Sequence, residues 1–168
     1  MGAFDLQESI RVAERRLGLA NRSRRPRADR GQPRLAPEVL ARLDELLQGQ
    51  ERPPVRALTS ALREFCGARG FRTPARATIY HFMASLPSTP REVATLPASV
   101  RETLYNLSGD AVVPGHQLAF YCLNYGGIDA VTFAAGLPWL ALYQAARLPG
   151  WRSRSKGLLA AVLRIRGI

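Results

Sequence analysis

Lysine is almost missing from this 168-residue chain: of its 24 basic residues only Lys156 is not arginine. Cysteine is nearly as scarce, with Cys66 and Cys122 alone and each in an apolar, helix-like context. Two isolated cysteines define neither a disulfide framework nor a metal cluster, so they read as small buried hydrophobes in a reducing compartment. Histidine is limited to His81 and His116, far apart and without carboxylates or thiols at ligand spacing, which excludes a zinc site. A glycine-rich phosphate loop and a nucleophile elbow are both missing, and the scattered carboxylates form no acid–base pair. These absences predict a protein that is not an enzyme and uses no cofactor and no metal. Apolar runs are too short to span a membrane. The opening MGAFDLQESIRVAERR carries acids and no apolar stretch of secretory type, and Leu6 breaks a myristoylation pattern. The expected location is cytoplasmic.

Acidic residues are the most informative shortage. After Asp129 none occurs, while Arg147, Arg152, Arg154, Lys156, Arg164 and Arg166 do. The chain as a whole carries a net charge of +11. An Arg-, Ala-, Pro- and Gly-rich composition fits a GC-rich genome, which explains arginine in place of lysine but not the excess of positive charge. That excess points to a polyanion: double-stranded DNA or an acidic protein.

What is present is mostly helical periodicity. Phe4, Ile10, Ala13 and Leu17 form one stripe over residues 4–19. Residues 21–34, NRSRRPRADRGQPR, hold six arginines and no large apolar side chain, and read as a flexible basic linker. Arg22, Arg24, Arg25 and Arg27 belong either to a solvated tether or to an arm lying along phosphates or in a minor groove. PEVLARLDELLQ resumes the helical pattern with Val39, Leu40, Leu43, Leu46 and Leu47 on one side and Pro37 in its first turn. The prolines from 87 to 97 mark a connector, and Val112, Val113 and Pro114 suit a short wing-like ribbon. The expectation is a mainly α protein of about eight helices, a small helical bundle or two. Four parts are expected: an amphipathic helix over 1–19, a linker over 20–36, and helical domains over 37–95 and 96–168.

Two stretches have helix-turn-helix spacing. In IDAVTFAAGLPWLALYQAAR, residues 128–147, Gly136 occupies the turn, where a tight corner calls for a residue tolerant of positive φ. Trp139, Tyr143 and Gln144 would then approach base edges, and Arg147, Arg152, Arg154 and Lys156 would hold phosphates. The second stretch joins VRALTSALREFCGARG to ARATIYHFMASL through FRTP, with Leu58, Leu62 and Phe65 facing inward, a turn from Gly67 to Thr73, and Thr73-Pro74 as the helix start. Ile79, Phe82 and Met83 face the core in this reading, and Arg72, Arg76, Thr78 and His81 face outward. Of the two units, the C-terminal one is favoured, because its surroundings lack acids while Glu64 and Glu92 lie near the other.

The TPARATIYHF segment resembles the recognition helices of bacterial regulators and transposase-type DNA-binding domains. That resemblance implies that Arg72, Arg76, Thr78 and Tyr80 meet DNA. From Leu96 to Trp151 the chain is similar to DNA-binding proteins of toxin–antitoxin operons, in particular antitoxins paired with nucleotidyltransferase toxins of the abortive-infection type. In that family an N-terminal winged helix-turn-helix represses the operon and a larger C-terminal domain counters the toxin. Here the chain is short and its best-spaced motif is C-terminal, so DNA-binding regulation is the inherited expectation. The alternative is an adaptor that neutralises or scaffolds a toxin. In it the Phe4–Ile10–Leu17 stripe packs on an acidic protein and Trp139 and Trp151 anchor the interface. A second copy of the chain is the remaining partner compatible with the sequence.

Overall fold

Proline and glycine punctuate the helices of this chain, and the computed structural model, which describes residues 34–168, follows that punctuation. Residues 4–19 and the arginines 22, 24, 25 and 27 lie outside the described residues. Helix α1, Pro37–Leu47, starts on a proline and buries Val39, Leu43 and Leu47 at four-residue steps. Pro53 and Pro54 break the chain before α2, Val55–Arg69, which buries Leu58, Leu62 and Cys66. Gly70 ends α2 at φ 71°, the left-handed conformation that a side chain would strain, and the Phe71 N–H returns to the Cys66 carbonyl at 2.9 Å.

Helix α3 spans Arg76–Ser85. The expected turn from Gly67 to Thr73 is displaced, because α2 continues through Gly67 to Arg69. Thr73 does not cap α3 either: Ala75 takes the cap position in an extended conformation, and Pro74 is buried in the turn. Packing of the proline outweighs a cap worth ~1 kcal/mol.

Strand β1, Arg91–Glu92, pairs antiparallel with β2, Val112–Val113, in the register Arg91 to Val113. The expected ribbon is there, yet no tight hairpin joins it. Residues 93–111 run through a 3₁₀ turn, the short helix α4 (Ala98–Arg101) and a second 3₁₀ turn before returning. The ribbon therefore closes a helical excursion instead of projecting as a wing. Helices α5 (Gly115–Tyr125), α6 (Ile128–Ala135), α7 (Trp139–Ala145) and α8 (Ser153–Ile165) complete eight helices among the described residues, so the fold is mainly α. None of these helices is long and apolar enough to cross a membrane.

Two hydrophobic cores form. One gathers α1, α2 and α3; the other gathers α4 to α6, α8 and the ribbon. Helix α7 belongs to both: Trp139, Leu140 and Tyr143 enter the first core, and Ala141, Leu142 and Ala145 enter the second. All seven of its residues are buried. The expected division at residue 96 fails for this reason. Leu35–Ile168 is one compact unit, because the first core is completed by residues more than fifty positions further along the chain.

Glycines separate into those that use their lack of a side chain and those that do not. Gly136 sits at φ −85°, so the positive φ expected of the turn after α6 is not used; the turn closes in right-handed geometry. A Cβ there would meet the Phe133 carbonyl oxygen at an acceptable 3.4 Å. At Gly126 a Cβ would lie 2.5 Å from the Cys122 carbonyl oxygen and 2.6 Å from Ala130 Cβ. Gly126→Ala is expected to destabilise by ~2 kcal/mol or more through forced backbone displacement. Gly136→Ala is expected to be neutral or stabilising by about 0.5 kcal/mol. Urea unfolding of the two variants checks the contrast.

Both cysteines are free and buried, as expected, and burial pushes the Cys122 thiol up to about 11, so it stays protonated. Ser88 ties the ribbon region to α5: its hydroxyl accepts the His116 backbone N–H at 2.9 Å and lies 2.8 Å from His116 Nδ1. With its lone pair so engaged, the hydroxyl proton is placed to donate to Nδ1, which requires the neutral ring. Burial also lowers the His116 pKa below its ordinary 6.5. The unfolded chain thus binds the proton more readily, and stability is full above 6.5 and declines as pH falls below it. Urea midpoints followed across that value should show the decline in the native chain and a flatter profile in His116→Gln.

Candidate nucleic-acid interface

The α2–α3 pair is a helix-turn-helix whose second helix is held from behind and open in front. Ile79 and Met83 enter the first core, and Phe82 and Leu86 pack against it. Gln144 of α7 then satisfies the carbonyls at the end of α3, donating through Nε2 to Met83 O at 3.0 Å and Leu86 O at 2.6 Å. These are carbonyls that a helix end leaves without intrahelical partners. What remains outward on α3 is Arg76, Ala77, His81, Ala84 and Ser85. Small residues on that face permit close approach of a duplex, and Arg72 and Arg76 stand exposed at its start.

Two grooves flank this helix. On the α2 side, Arg56, Thr59, Ser60, Arg63 and Arg76 line a groove of about 470 Å³ with Val55. Arg56, Ser60 and Arg63 fall at positions i, i+4 and i+7, one face of α2. The Thr59 hydroxyl is spent on Val55 O at 2.8 Å, leaving three guanidinium groups and Ser60 as the lining donors. No acid lines this groove. Among the described residues the one ion pair is Arg42–Glu45 at 2.6 Å, on α1, so none of these arginines is paired with a carboxylate.

On the α7 side lies a groove of about 630 Å³ lined by Tyr80 and His81 of α3, Tyr143, Arg147, Arg52 and the apolar Leu163 and Ile168, among others. The Arg147 guanidinium sits 3.5 Å above the Tyr143 ring centroid, and its Nη1 donates to Tyr143 O at 2.9 Å. Arg76 borders both grooves through Tyr80, with its guanidinium 5.6 Å from that ring and Nη2 3.3 Å from the hydroxyl.

The structure thus brings together Arg72, Arg76, Tyr80 and Arg147, with Thr78 half-buried on the flank of α3. It separates the rest. Trp139, Tyr143 and Gln144 cannot reach base edges, since α7 is enclosed by two cores. Trp139 is 0% exposed, and its indole Nε1 donates to Leu47 O at 3.1 Å, closing the end of α1. The same burial removes Trp139 as an interface anchor, and Trp151 is half-buried with Nε1 donating to Ala145 O. Arg152, Arg154 and Lys156 are exposed, but at the first turn of α8, where the Arg152 N–H donates to Asn124 Oδ1 and its guanidinium lies 4.1 Å over Tyr125. Helix α8 is about 20 Å long, and only its far end reaches α3. Arg52, Arg56 and Arg63 were missed by sequence reasoning; the four- and three-residue steps from Arg56 through Ser60 to Arg63 were the available signal. Comparisons with protein-family models, with curated proteins and with solved structures find no match for this chain.

Proposed function

We propose that this is a non-enzymatic DNA-binding protein of the transcription-regulator class that docks α3 in the major groove of duplex DNA. Arg72, Arg76 and His81 face the bases, and Arg56 and Arg63 hold backbone phosphates. The observation that carries the reading is the open face of α3, rigidly supported by both α1–α2 and Gln144, beside three arginines without acidic partners. Such an arrangement makes affinity depend on counterion release, with about 0.9 of logarithmic slope per neutralised phosphate. Fluorescence anisotropy of a labelled duplex across a salt series tests it. The expected result is saturable binding at low salt, with a log–log slope of about −3 or steeper. Absence of a salt-dependent complex at low ionic strength would refute it.

A further inference from the structure

The groove between α3 and α7 has features that duplex docking does not use. Its volume of about 630 Å³ falls within the range of small-molecule sites, and its walls combine rings with few cations. Tyr143 is 7% exposed because Arg147 covers it. The hydrogen bond from Nη1 to Tyr143 O holds that guanidinium in its stacked pose, so one planar face is spent on tyrosine. Arg52 lines the same groove with its guanidinium 5.8 Å from the Tyr143 ring centroid. Tyr80 and His81 supply a further pair of rings, and Leu163 and Ile168 an apolar wall. A planar guanidinium fixed on a ring is a stacking platform as well as an anion donor, and a second guanidinium adds charge for the same ligand.

We propose that this groove binds a small planar ligand, an aromatic or heteroaromatic ring carrying an anionic group, with the ring on the Arg147–Tyr143 stack and the anion on Arg52. Tyr80 and His81 belong to α3, so an occupied groove places the ligand beside the helix that faces DNA. Ligand and duplex then compete, and the groove is a control point for the docking described above. The control rests on that docking; the ligand site does not.

Isothermal titration of the full chain with adenosine 5′-monophosphate and with salicylate tests the site directly. Adenosine and inorganic phosphate serve as ring-only and anion-only controls. Saturable binding of either ring-bearing anion, with both controls weaker by about tenfold or more, is the expected result; which of the two binds identifies the ligand source. Arg147→Gln and Arg52→Gln should each weaken it by roughly tenfold or more, and Lys156→Gln, remote at the start of α8, should leave it unchanged. Inorganic phosphate binding as tightly as both anions overturns the proposal, as does an equal loss in the Lys156 variant or no saturable heat from either compound. Displacement of labelled duplex by the bound anion is the second readout. A ligand that binds without displacing DNA overturns the competition alone, and a chain that binds the ligand but no duplex removes the DNA reading and leaves the site standing.

Discussion

Trp139→Ala is expected to destabilise the protein by ~4 kcal/mol, a large share of the 5–15 kcal/mol typical of a domain. The indole is fully enclosed where α1, α2 and α3 meet α7, so its removal leaves a cavity that rigid helices on several sides cannot close. It also strips a donor from Leu47 O at the end of α1. Trp139→Phe keeps most of the volume and loses only that hydrogen bond, with an expected cost of ~1–2 kcal/mol. Urea denaturation of both variants, with the phenylalanine form guarding against outright failure to fold, checks the ranking. A recognition-helix role for α7 demands the opposite pattern: little loss of stability and a large loss of DNA affinity.

Replacing Arg56, Arg63 and Arg76 together by glutamine is expected to lower duplex affinity by roughly one to two orders of magnitude at low salt. The salt slope should flatten by about three units, one per lost phosphate contact. These side chains are exposed and carry no packing burden, so the fold should survive. The matched replacement of Arg152, Arg154 and Lys156 removes the same formal charge from the first turn of α8. It is expected to cost far less, because only general attraction is lost there. Anisotropy titrations of both triple variants decide between them; the reverse ranking would assign docking to the C-terminal segment after all.

Much of the helical layout was legible from spacing. Val39, Leu43 and Leu47, or Leu58 and Leu62, repeat at the interval that puts one face inward, and Pro53–Pro54 and Gly70 end helices for stereochemical reasons that any reader of the chain can apply. The ribbon at Val112–Val113 was visible as a β-branched pair, although its partner strand at Arg91–Glu92 carries no such mark. What spacing could not show is that α7 sits between two cores. The run WLALYQA has no charged residue, and a helix apolar around its whole circumference is a buried one. Taken alone that signal was available, but helix-glycine-helix spacing concealed it. Gln144 was misleading for a related reason. A lone glutamine in an apolar helix looks like a reader of bases, yet here it serves carbonyls of α3 that only tertiary contact brings near. The α2 groove was missed because Arg56 and Arg63 meet Arg76 across a turn of six residues, Gly70–Ala75, whose path no local pattern fixes. The arginine-rich end of the chain drew attention through its lack of acids, whereas pairing in space, and not local sequence charge, decides which arginines are available.

The central claim is that α3 faces the duplex and α7 does not, and an amide chemical-shift titration of the isotope-labelled chain with duplex DNA at low salt tests it most directly. The account predicts progressive shifts at Arg56, Arg63 and residues 72–81, with residues 139–145 and 152–156 nearly unmoved. Dominant shifts at residues 152–156, or at α7, with α3 silent would contradict it.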